Sequence, residues 1–226
     1  MSASNPRIVY VTSSKFKVGE NEIFVREATL ADGSVVGEHF EFDIREAAIP
    51  ERLEIRLVEL VRAEAASAYA SVRVPCIVEH AGLVLDGFGE DADFEFPAGL
   101  TKPMWDTLGD RFVSETHSAG RAARAKAVVA YCDGQRVHHF VGETEGTIAE
   151  SPRGGREFYW DTIFIPNNQD GSPGALTYAE IVDDPSLGLR HKVLFHSQST
   201  RAKLSFLEWF RKQPHPALWP SGFLVH

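Results

Sequence analysis

Two cysteines in 226 residues, Cys76 and Cys132, are too few for a disulfide framework and lack the spacing of a metal cluster. Both lie in runs expected to be buried strands, so they read as core thiols. No apolar run approaches the length of a membrane span, and the N-terminus lacks a charged segment leading into an apolar one. No membrane association is expected, and the cytoplasm is the default location. Positive charge is also scarce: 23 Lys and Arg against 32 Asp and Glu leave a net charge of −9. That balance argues against broad nucleic-acid binding, yet it leaves room for a small phosphate pocket. Internal repeats and low-complexity segments are lacking. What remains is 43% apolar and 24% charged, an ordinary globular composition long enough for one domain or two lobes sharing a core.

The stretch around which the rest is arranged is Cys76–Gly89, CIVEHAGLVLDGFG. An apolar, β-branched run stops at Glu79 and His80, and a glycine turn and a second apolar run are expected to follow. Polar side chains delivered at the end of a buried strand are how sheet folds place chemistry at an edge. Upstream, Arg7–Ser13 is a β-rich run ending in Thr12, Ser13 and Ser14, followed by Lys15 and Lys17 at a helix start. This is either a phosphate-binding layout or an N-cap with two solvated lysines, and the residues alone favour the latter. Residues 38–44 alternate as a half-exposed strand. A helix is expected from Pro50 to about Ser71, with Leu53, Leu57, Leu60, Val61, Ala65 and Ala68 on its apolar face and Glu59 and Glu64 off it.

Ala122–Cys132 and Arg136–Val141 read as a hairpin across Asp133-Gly134, continued as strand over Thr144–Ala149. A basic glycine-rich loop with Arg153 leads to Phe158-Tyr159-Trp160-Asp161. Rings beside a carboxylate suit either recognition of a purine base or an aromatic core with a capping aspartate. Thr177–Val182 opens on a Thr-x-x-Glu capping box. Thr200–Lys212 is an amphipathic helix using Leu204, Leu207 and Phe210, with Phe206 beside them. The tail, residues 214–226, is apolar and is expected to pack on the chain itself or on a partner.

Gly142-x-Thr144-x-Gly146-x-Ile148, Pro152-Arg153-Gly154, Phe158-Tyr159-Trp160-Asp161-x-Ile163-Phe164 and Thr177-Tyr178-Ala179-Glu180, in this order, resemble the inosine triphosphate pyrophosphatase family. The resemblance runs from Ile8 to about Leu207. It implies an α+β (mixed α/β) fold, with a central mixed twisted sheet, a second lobe and a nucleotide cleft between them. Residues 1–213 would form this single two-lobed domain. It also implies binding of a purine nucleoside triphosphate such as dITP or ITP, in a homodimer or hetero-complex. By the same resemblance Thr12, Ser14 and Lys17 contact phosphate, and Phe158, Trp160 and Asp161 hold the base. Arg153, Lys192 and Arg201 complete the nucleotide contacts, and Glu59 and Glu79 bind Mg2+. Glu79 and His80 stand at the catalytic acidic pair, with His80 in place of an aspartate. Glu64 falls where the family has a phosphate-contacting lysine. Because imidazole is a poor ligand for magnesium, the expected function is a catalytically impaired sensor. Similar family members pair with a sirtuin-like NADase effector in antiphage defence. The alternative is an active Mg2+-dependent pyrophosphatase converting ITP, dITP or XTP to monophosphate and pyrophosphate.

Overall fold

The computed structural model describes residues 5–47, 49–50, 52–88, 94–155 and 159–213. The apolar tail at 214–226 therefore lies outside the described residues. Its strands are β1 (Arg7–Val11), β2 (Glu41–Arg45), β3 (Cys76–Leu85), β4 (Ala122–Cys132), β5 (Val137–Ile148) and β6 (Phe164–Pro166). They form one mixed sheet in the order β2-β1-β3-β4-β5-β6. β1 runs parallel to β2 and β3, and the remaining pairs are antiparallel. The α-helices are α1 (Lys15–Glu27), α2 (Val36–His39), α3 (Leu57–Val72), α4 (Thr101–Leu108), α5 (Phe112–Glu115), α6 (Tyr178–Asp183), α7 (Gly188–His191) and α8 (Gln198–Phe210). The expected mixed α/β class is the one observed.

The sheet is covered on both faces, which is why β1, β3 and β4 are apolar almost throughout. Side chains alternate between faces. Ile8, Tyr10, Ile77, Ala127, Val129 and Tyr131 pack under α1 and α8, against Phe24 and Phe206. Val9, Val11, Val78, Val128 and Ala130 pack under α3, against Leu57, Leu60 and Val61. The far halves of β3 and β4 enter a third cluster with Phe112, Trp160, Phe164 and Tyr178. The β4–β5 hairpin turns where expected: Asp133 Oδ1 accepts from the N–H groups of Gln135 and Arg136, both at 2.7 Å, and Gly134 takes φ +95°.

Three local expectations are corrected. The helix expected from Pro50 begins at Leu57, and Leu53 is 81% exposed. The Ile55 carbonyl accepts from the Gly99 N–H at 3.0 Å, which commits this stretch to a loop contact instead of a helical turn. Residues 38–44 are not one strand. Glu38 and His39 belong to α2, where the Glu38 carboxylate accepts from the Val35 N–H, and β2 starts at Glu41. Finally, β3 does not end at Glu79 in a glycine turn. It continues unbroken to Leu85, paired with β4 throughout. Gly82 is there for close approach: a Cβ would stand 2.2 Å from the Ala98 carbonyl oxygen.

Gly142 has the same role for α8. A Cβ there would meet the Gln198 carbonyl oxygen at 2.1 Å and the Ala202 nitrogen at 2.4 Å, both backbone atoms. Gly142→Ala should therefore lift α8 from β5 and destabilise the fold by about 1–3 kcal/mol. Urea unfolding measures this, and an unchanged midpoint would mean that α8 docks less tightly than described.

Candidate functional site

The cleft comes from a gap in strand pairing. β1 accompanies β3 only as far as Ile77 and then turns away at Thr12. Further along, residues 96–101 take over the same edge of β3: Leu83 N–H donates to Thr101 Oγ1 at 2.9 Å and Leu85 N–H to the Phe96 carbonyl at 2.7 Å. Between these two partners the edge at Glu79–Ala81 is open. The resulting cleft of about 540 Å³ is lined by Thr12–Lys17, Glu20, Glu64, Val78–Ala81, Lys102, Tyr159–Asp161, Lys192 and Ser197–Ser199. That volume suits a small organic ligand.

One end is the N-terminus of α1. Ser14 caps it, its hydroxyl accepting from the Lys17 N–H at 3.4 Å, and Thr12 Oγ1 accepts from the Ser14 N–H at 3.2 Å. The first turn holds no acidic residue but does hold Lys15 and Lys17. Cations at a helix N-terminus oppose the macrodipole, so this is a locally unfavourable arrangement that a bound anion would repair. Lys17 Nζ reaches across the gap to the backbone carbonyl of Glu79.

At the other wall stands Asp161, 2% exposed. Its Oδ2 accepts from Lys192 Nζ at 2.5 Å, and Lys192 also reaches Glu20 at 3.0 Å. Oδ1 is buried with no hydrogen-bond partner among the described residues. Burial pushes the Asp161 carboxyl up to about 6, against the pull of the Lys192 ammonium. Burial acts to lower Lys192, but the attraction of Asp161 and Glu20 outweighs it and holds the ammonium charged. A turn of π-helix over Lys192–His196 separates this lysine from the start of α8. Such inserted turns recur at functional sites.

Glu79 and His80 follow the strand alternation onto opposite faces. Glu79 points under α8, where Oε1 accepts from Ser199 Oγ at 2.6 Å and Oε2 from the Tyr10 hydroxyl at 3.1 Å, with Lys203 Nζ at 3.3 Å. Burial acts to raise this carboxyl, but Lys203 and Lys17 outweigh it and bring it down to about 2. Its ligand capacity is therefore largely spent on the interior. His80 points under α3, with Nδ1 3.4 Å from Glu64 Oε1.

Thr12, Ser14, Lys17, Glu79, His80, Trp160, Asp161 and Lys192 thus meet in one cleft. Trp160 lines it while its ring packs on Phe164 and Tyr178 in the core. The expected metal pair of Glu59 and Glu79 is not assembled: Glu59 is exposed on α3 and away from the cleft lining. Five residues on a helix rotate about 140°, so Glu64, not Glu59, is the α3 carboxylate that enters; it is buried, contrary to the expectation from periodicity. Arg153 and Arg201 also stand outside the lining. Arg153 holds the Ala175 carbonyl and Glu180, and Arg201 holds the Glu143 carbonyl at 2.6 Å. Phe158 lies outside the described residues. Sequence reasoning passed over Glu20, Lys102, Tyr159 and Ser199. Only Ser199 and Tyr159 carried a signal, each as the neighbour of a residue already singled out.

Residues 8–191 match the Ham1 family over most of the chain. The chain belongs to the Ham1 family. It is 31% identical to a dITP/XTP pyrophosphatase of Methanopyrus kandleri over 165 residues, covering 72% of this chain and 79% of that one. It is 28% identical to inosine triphosphate pyrophosphatase 2 of Trypanosoma cruzi, covering 80% and 84%. A HAM1 protein of Coxiella burnetii has the same fold, with a TM-score of 0.60 at 17% identity over 90% of this chain and 99% of that one. No helix among the described residues is long and apolar enough to cross a membrane.

In this Ham1 cleft, no group of three or more His, Cys, Asp or Glu among the described residues is arranged to hold a metal ion. Magnesium commonly needs only one or two carboxylates, with nucleotide phosphates supplying the rest. Glu64 is the carboxylate available for that role, while His80 offers nitrogen.

The Glu79–Lys203 pair yields a stability test. Because Glu79 is depressed to about 2 in the fold, its contribution is complete above its unfolded value near 4.5 and is lost as pH falls through about 2. Lys203→Met removes the buried carboxylate's ion-pair partner, leaving it to Ser199, Tyr10 and Lys17, and should cost about 3–5 kcal/mol at pH 7. Its burial then raises Glu79, so the variant should gain stability between pH 7 and pH 5, where this group contributes no slope in the wild type. Urea unfolding at both pH values checks the loss and the sign.

Proposed function

We propose that this chain is a nucleoside triphosphate pyrophosphatase acting on deaminated purine nucleotides such as dITP and XTP, releasing the monophosphate and pyrophosphate. The observation that carries it is Asp161 Oδ1, buried at the cleft without a hydrogen-bond partner among the described residues. A hypoxanthine or xanthine ring carries an N–H where adenine carries a bare acceptor. A fixed carboxylate oxygen accepts from the former and repels the latter, so the base is selected by its protonated edge. Lys192 fixes the carboxylate by its other oxygen. At the opposite end the N-terminus of α1, with the Ser14 hydroxyl, Lys15 and Lys17, suits the phosphates.

Support for turnover comes from the relatives, which are named for pyrophosphatase activity. The sensor reading, with an antiphage effector as partner, rests on the departures at His80, Glu64 and Leu60 and on the apolar tail of the sequence. Ham1-family pyrophosphatases are generally metal-dependent, and the cleft's charge agrees. Among the described residues its lining holds four carboxylates (Glu20, Glu64, Glu79, Asp161) against four ammonium groups (Lys15, Lys17, Lys102, Lys192). A triphosphate entering a cleft without net positive charge needs a cation to accompany it.

Pyrophosphate release with a divalent cation should be fast for dITP and XTP and slow for dATP. Nucleotide binding without release would overturn hydrolysis and restore the sensor. Asp161→Asn should raise KM for dITP about 10–100-fold, the worth of a charged hydrogen bond. In the wild type, KM should climb below about pH 6 as Asp161 protonates, since the free oxygen then ceases to accept. A KM that is flat from pH 7 to 5 would remove Asp161 from base recognition.

A further inference from the structure

Glu64 from α3 and His80 from β3 face each other across the floor of the cleft, their side chains 9% and 18% exposed. Their separation is informative. An N⁺–H···O⁻ hydrogen bond spans about 2.7–2.9 Å, whereas Nδ1 and Oε1 stand 3.4 Å apart. Two donors on one ion at about 2.1 Å lie about 3.0 Å apart along an octahedral edge and about 3.4 Å along a tetrahedral edge. At 3.4 Å the pair stands at the long end of an imidazole–carboxylate contact and within the span that two ligands of one cation can bridge. One imidazole nitrogen and one carboxylate oxygen also form a donor set for borderline metals, while Mg2+ favours oxygen alone.

We infer that Glu64 and His80 form a divalent transition-metal site, selective for ions such as Mn2+ or Co2+ over Mg2+ and completed by water and nucleotide phosphate oxygens. The phosphate ligands rest on the hydrolase reading; the two side chains do not. The site would bring positive charge to a cleft that otherwise balances and that Lys17 and Lys102 also line.

Mn2+ binding followed by electron paramagnetic resonance tests this, alone and with a non-hydrolysable α,β-imido analogue of dITP. Bound Mn2+ should show electron spin echo modulation from a directly coordinated ¹⁴N, and Mg2+ should compete about ten-fold or more weakly than Mn2+. His80→Ala should abolish the ¹⁴N modulation. His80→Asp should also lose it while keeping a bound metal, and should reverse the preference towards Mg2+. Glu64→Gln should weaken Mn2+ about ten-fold or more while leaving the fold intact by circular dichroism. Bound Mn2+ without ¹⁴N modulation, equal affinity in wild type and His80→Ala, or no Mn2+ binding even with the analogue would each overturn the site. A ¹⁴N-coordinated metal without pyrophosphate release would instead sink the hydrolase reading and leave the site standing.

Discussion

A single buried carboxylate joins the parts of this molecule that meet at the cleft. Glu79 is held by Tyr10 from β1, by Ser199 and Lys203 from α8, and through its backbone carbonyl by Lys17 from α1. These contacts lie where β1 stops accompanying β3, at the point of the sheet that strand pairing leaves unsupported. Tyr10 is raised by burial and by the neighbouring carboxylate, so its hydroxyl stays protonated and donates. Lys203 is fully buried as well, over the rings of Tyr10 and Phe24. Hydrophobic side chains of similar volume would fill that space at least as favourably. A charged cluster instead fixes direction, with each donor aimed at a particular oxygen, and so sets where α1 and α8 stand relative to the open edge.

With that edge fixed, the two ends of the cleft follow from topology. The parallel β1–β3 pairing places the C-terminal end of β1, and hence the N-terminus of α1, beside the open part of β3. The antiparallel run β3-β4-β5-β6 carries the sheet to the segment bearing Asp161. Lys192 then ties Asp161 back to Glu20 on α1, linking the two walls through one ammonium group. The carboxylate proposed to read the base is thus held by an ion-pair chain running through the cleft wall itself.

The parts legible in the sequence were those with local causes. The β4–β5 turn is set by Asp133 and Gly134, the start of α6 by the Thr177–Glu180 box, and the start of α1 by Ser14. Thr12, Lys17 and Asp161 could be assigned to a common site because the motifs bearing them come in the family's order, whereas Lys192 stands outside those motifs. The failures have long-range causes. Nothing near Gly82 signals that the backbone of Ala98 will press against it, so a strand interior reads as a turn. Ile55 is drawn out of the helix by Gly99, some forty residues away. Glu64 follows the helical period off the apolar face, yet it is buried, because what it meets is His80 on another element.

That last pairing changes how the departures from the family pattern should be weighed. Taken singly, a glutamate at 64 in place of a lysine and a histidine at 80 in place of an aspartate each look like damage. An unpaired carboxylate at 64 would be a buried charge costing several kcal/mol. In the structure the two positions face each other, the acidic group on the helix and the nitrogenous group on the strand. One carboxylate and one nitrogen base still share the cleft floor. The carboxylate at 64 is therefore not an unpaired buried charge, and neither position is weighed without the other.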